Sequence, residues 1–114
     1  MNTRTLLLQI ERFDSSSAHE YRSLLKALAD YYQQTVPSAI EDQVVLATEL
    51  LLNRFYEASY AQFIDSEIQE LILEALSKAG SLSYNIRRGT SINTEYFRTM
   101  KILGRTLSII VNRI

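Results

Sequence analysis

The chain has 114 residues, no cysteine, one proline, three glycines and a formal net charge of −1. That length suits one domain, able to bury about two thirds of the surface its unfolded form exposes, and the missing cysteines exclude disulfides and thiolate metal sites. No uninterrupted apolar run approaches the roughly 20 residues of a membrane span and no signal-peptide pattern opens the chain, so a cytoplasmic protein without membrane contact is expected.

Residues 1–14 read as an N-terminal arm or irregular extension, because Leu6, Leu8 and Ile10 alternate as a strand would and no partner strand follows. From residue 15 to 114 the apolar spacing is helical almost throughout, which predicts an all-α, antiparallel up-down four-helix bundle. Ser17 and Glu20 form a capping box for the first helix, with Tyr21, Leu24, Leu28, Tyr31 and Tyr32 on its apolar side, and Pro37 ends it. Ser38 and Glu41 form a second capping box. The helix they open, "VVLATELLLNRFYEASY", is apolar on nearly every side and is expected to be the central one.

Asp65 or Ser66 starts the third helix, whose stripe reads Ile68, Leu71, Ile72, Ala75, Ala79, Leu82 and Ile86, and Gly89 within "RRGTS" stops it. Ser91 or Asn93 caps the fourth. In that last helix Tyr96, Met100, Leu103, Leu107, Ile110 and Ile114 make a core seam. Ile102 and Ile109 make a second apolar stripe, Arg98, Lys101, Arg105 and Asn112 a polar one, and Gly104 permits a close backbone approach. A helix packed once needs one stripe, so Ile102 and Ile109 are read as a subunit interface; the alternative is that they cover a neighbouring helix of the same chain.

Charge divides sharply along the sequence. Residues 1–83 hold six basic and twelve acidic side chains, a balance of −6, whereas residues 84–114 hold six basic and one acidic, a balance of +5. Arg87, Arg88, Arg98, Lys101, Arg105 and Arg113 are therefore the candidates for contact with a polyanion or an acidic protein, since the arginine fork bonds phosphate and carboxylate in pairs. The competing reading is an ordinary solvated face that makes salt bridges to the acidic helices.

Catalytic patterns are not apparent. His19 is the only histidine and falls in the first turn of a helix among solvated residues, where a surface role is expected. Glu67, Glu70 and Glu74 read as a solvated acidic face, because carboxylate metal centres in bundles use Glu-x-x-His pairs that this chain lacks. Glu49 and Asn53 look like the magnesium- and nucleotide-holding pair of histidine-kinase-type ATPases, but no Asp-x-Gly-x-Gly loop accompanies them. Neither cofactor nor metal is expected.

The stretch "ILEALSKAGSLSYNIRRGTSINTEYFRTMKILGRTLSIIVNRI" resembles the C-terminal half of the accessory variability determinant (Avd) proteins of diversity-generating retroelements. The likeness extends back through "LADYYQQTVPSAIEDQVVLATELLLNRFYEASYA" and covers Ala18 to Arg113. It is carried by Pro37, the segment from Leu73 to Arg88, the run from Ser91 to Tyr96, and Ile102, Leu103, Gly104, Arg105 and Leu107 in order. Two departures stand out: Leu107, Ile109 and Ile110 occupy the place of a common aromatic residue, and the family is strongly basic where this chain is not.

The resemblance implies a non-catalytic homopentamer of four-helix bundles. Such an assembly binds the retroelement's reverse transcriptase, with template RNA or cDNA as further ligands, and supports mutagenic retrohoming. Related bundles encoded by intervening sequences of ribosomal RNA genes, or a general oligomeric adaptor without a reverse transcriptase, are the alternatives the resemblance leaves open.

Overall fold

The computed structural model describes residues 3–12, 18–34, 42–57, 65–89 and 94–114. Among them it forms five helices and no strand: α1 (Thr3–Glu11), α2 (Ala18–Gln34), α3 (Asp42–Glu57), α4 (Ser66–Arg87) and α5 (Thr94–Arg113). The expected capping residues Ser17, Ser38, Glu41, Ser91 and Asn93, and Pro37 itself, lie outside the described residues.

Both ends of α4 follow from local chemistry. Asp65 sits in extended backbone and its Oδ1 accepts the Ile68 amide at 2.9 Å, satisfying one of the amides a helix start leaves unpaired. At the other end Gly89 adopts a φ of +66°, a conformation that favours glycine, and its amide donates to the Ile86 carbonyl at 3.0 Å.

Helix α5 is the central element and packs along both α2 and α4. This corrects the expectation that α3 would be central, since α3 packs chiefly on α4 and leaves Leu46, Leu50 and Tyr56 exposed. On α5 the predicted seam residues Tyr96, Met100, Leu103, Leu107 and Ile110 are buried, Ile114 is half-buried, and Gly104, Thr106 and Val111 widen the buried arc. The arc is wide because two helices of the same chain cover it.

Against α2 the approach is close. A Cβ on Gly104 would stand 3.0 Å from the Tyr32 Cβ and 3.1 Å from the Gln33 Cγ. Gln33 Nε2 donates to the Gly104 carbonyl at 3.0 Å and Arg22 Nε to the Val111 carbonyl at 3.3 Å. The order of these contacts means that α2 and α5 run in opposite directions.

Large side chains bridge α2 and α3. The Tyr21 and Phe55 rings lie 4.6 Å apart, and the Tyr32 hydroxyl is 2.9 Å from Thr48 Oγ1. Thr48 gives its own proton to the Val44 carbonyl at 2.7 Å, so Tyr32 is the donor to Thr48. This buried pair is fully directed. Burial raises the Tyr32 phenol far above its ordinary value, with Tyr96 and Tyr31 adding to the shift and the Thr48 contact opposing it.

The N-terminal segment departs from its sequence reading. Thr3–Glu11 is a helix, not a strand-like or irregular arm, and it packs on both α3 and α2. Leu6 and Ile10, four residues apart, enter the core, while Leu8 is 40% exposed. The alternation of Leu6, Leu8 and Ile10 hid this, since the pair spaced by four belongs equally to a helix.

Candidate partner-binding surfaces

The six basic candidates do not form one patch. Arg87 lies 3.8 Å from the Glu49 carboxylate of α3. Arg88 donates to the Tyr84 hydroxyl at 2.8 Å, with its guanidinium carbon 5.5 Å from the centre of that ring. Arg98 pairs with Glu95 one turn back at 3.1 Å, and Arg113 pairs with Glu67 of α4. Lys101 and Arg105 remain, both exposed and with no ion pair among the described residues.

Lys101, Arg105 and Ile109 are spaced four positions apart, so the three form one line along α5. Ile109 is 44% exposed, and Ile102 is half-buried. The two residues expected to share an apolar stripe thus differ in their access to solvent, because Ile102 lies nearer the buried arc that covers Leu103 and Thr106.

Helix α4 carries the opposite charge on its outer side. Glu67, Glu70 and Glu74 are exposed and line a shallow depression with Leu71 and Arg113. Of the three, Glu67 is paired with Arg113. Among the described residues no group of three or more histidine, aspartate or glutamate side chains is arranged to hold a metal ion, and no helix is long and apolar enough to cross a membrane.

Asn53 turns its Nδ2 back onto the Glu49 carbonyl at 3.0 Å, and the Glu49 carboxylate stands beside Gly80 and Arg87. His19 is exposed in the first turn of α2. A groove between α1 and α2 is lined by Thr5, Leu8, Gln9, Arg12, Glu20 and Ser23 among others.

Comparison with known proteins adds no identity: no family model, no curated protein and no solved structure matches the chain.

One surface escaped the sequence reading altogether. Leu46, Leu50 and Tyr56 on α3 and Leu73 and Tyr84 on α4 are all exposed, Tyr84 by 56%. A signal for it was present, since α3 holds more apolar residues than one buried face can take, but expecting α3 to be surrounded concealed it.

Proposed function

We propose that the chain is a non-catalytic accessory protein of the Avd type. In this reading α2 to α5 form an up-down four-helix bundle, bundles assemble into a homopentamer, and the assembly binds a reverse transcriptase in the cytoplasm. The observation that carries the reading is the line of Lys101, Arg105 and Ile109 on α5. It offers two positive charges with no ion pair among the described residues and an exposed apolar side chain within the segment that resembles that family.

Five copies of the +5 C-terminal segment would concentrate about +25 in one assembly, enough to steer an acidic partner or template RNA to it despite the acidic remainder. The internal pairing of Arg87, Arg98 and Arg113 reduces what each copy contributes. Lys101 and Arg105 are accordingly the residues on which partner binding turns, and Arg88 assists from the end of α4.

Light scattering on a size-exclusion column tests the assembly, with a mass near five chains expected and a single-chain mass at every concentration counting against it. Co-purification with the reverse transcriptase encoded beside the gene tests the partner. Its loss in a Lys101→Glu, Arg105→Glu variant of unchanged helicity is the expected result. Labelled RNA titrated across a salt series tests the third ligand, because each phosphate neutralised adds about 0.9 to the log-log slope for duplex and about 0.7 for single strands.

A further inference from the structure

Helices α2, α5, α4 and α3 pack in that order, each along the next, but α2 and α3 at the two ends of the row do not pack along each other among the described residues. Side chains bridge the seam between them, through the Tyr21 and Phe55 rings and the Tyr32–Thr48 bond. Helix α1 lies over that seam, packed on α3 and on α2. Its anchors are Leu6 and Ile10, and Leu24 of α2, itself buried, borders it in the groove between the two helices.

The helix itself is poorly built to stand alone. It has nine residues, fewer than the roughly 12 to 15 that an isolated helix needs in water. Its charges also oppose its dipole: Arg4 stands in the first turn, where negative charge is favoured, and Glu11 in the last, where positive charge is favoured. Arg12, one position beyond the end, offsets Glu11 in part. Open grooves run along both flanks, one facing α2 and one facing α3 that Leu7, Leu8 and Gln43 help to line.

We infer that α1 is a strap that opens as a unit while α2 to α5 stay folded, and so controls access to the apolar seam between α2 and α3. Opening below the level of the whole fold falls to elements with few buried apolar anchors and backbone near solvent, and α1 meets both conditions. Packing of Leu6 and Ile10 favours the closed state, and the reversed charges of Arg4 and Glu11 favour the open one. The inference does not depend on the partner proposed above.

Hydrogen exchange followed by NMR on the unsubstituted full chain tests it. The amides of Leu8, Gln9, Ile10 and Arg12, the last of which donates to the Leu8 carbonyl at 3.0 Å, are expected to share one protection factor. It should lie about a hundredfold or more below those of Leu103 and Leu107 in α5. Protection equal to that of α5 would mean that α1 opens only with the whole fold, and protection that fades gradually from one end would mean simple fraying; either overturns the strap. Arg4→Glu with Glu11→Lys changes only exposed residues and should raise α1 protection about threefold or more. Because the chain has no cysteine, Leu24→Cys introduces a single thiol at the seam. Its labelling by a thiol reagent should slow by the same factor when the two charge substitutions are added. Labelling that ignores them would show that α1 does not guard the seam.

Discussion

Gln33 and Gly104 lock α2 to α5: the Gln33 amide nitrogen donates to the Gly104 carbonyl at 3.0 Å, across a gap kept open by the absent glycine side chain. Gly104 is buried in the middle of a helix, where glycine costs about 1 kcal/mol relative to alanine. What offsets that cost is the approach of Tyr32. Its Cβ is fixed to the α2 backbone and cannot rotate away from a new methyl group at 3.0 Å.

Gly104→Ala is therefore expected to destabilise the fold despite its better helix propensity. Overpacking costs about 1 to 3 kcal/mol against a propensity gain of about 1, which leaves a net loss of roughly 1 kcal/mol. The urea midpoint measures it. A midpoint equal to or above that of the unsubstituted chain would mean α2 moves aside freely.

The Tyr32–Thr48 bond predicts an asymmetry between its two partners. Tyr32→Phe removes a donor from Thr48, whose own proton remains engaged with Val44, and should cost about 1 kcal/mol. Thr48→Val strands a buried tyrosine hydroxyl and should cost more, about 1 to 3 kcal/mol. Equal losses for both variants in chemical denaturation would contradict the donor assignment.

Alkaline pH should weaken the fold through the same tyrosine. Its folded-state value is raised by burial, and that of Tyr96 is raised by burial and then by the Asp42 charge, whereas in the unfolded chain a tyrosine titrates near about 10. Their contribution is thus fully present below about pH 10 and is lost as pH rises toward the folded values. Stability measured by urea at stepped pH should fall on that limb, and Tyr32→Phe should make the fall shallower.

Helix α1 can be told from a strand by truncating its leucines one at a time. Leu6→Ala empties a site that is 1% exposed and should cost about 2 to 5 kcal/mol. Leu8→Ala, at 40% exposure, should change stability by no more than about 0.5 kcal/mol. Comparable losses at both positions would restore the alternating pattern that the sequence suggested.

Asp65 tests how firmly α4 is started. Asp65→Ala removes the acceptor of the Ile68 amide and should cost about 1 kcal/mol, while Asp65→Asn retains an acceptor and should cost little. Thermal melts of the two variants give the comparison directly.

The sequence determined what depends on neighbours along the chain. The Asp65 start and Gly89 stop of α4 were legible because caps act over three or four residues, and the α5 seam from Tyr96 to Ile110 was legible because it repeats at helical spacing. The division of charge at residue 84 was a matter of counting. Which basic residues of the C-terminal segment would lack an ion pair among the described residues was not, because Arg87 and Arg113 find acidic partners 38 and 46 positions away. Tertiary packing also decided that α5 is the central helix, that α1 supplies Leu6 and Ile10 to the core, and that Leu46, Leu50 and Leu73 stay outside. Periodicity gives the width of an apolar face but not how many helices cover it. That number depends on where the other helices settle, and for α5 the coverage by α2 and α4 follows from contacts as distant as the 89 positions between Arg22 and Val111.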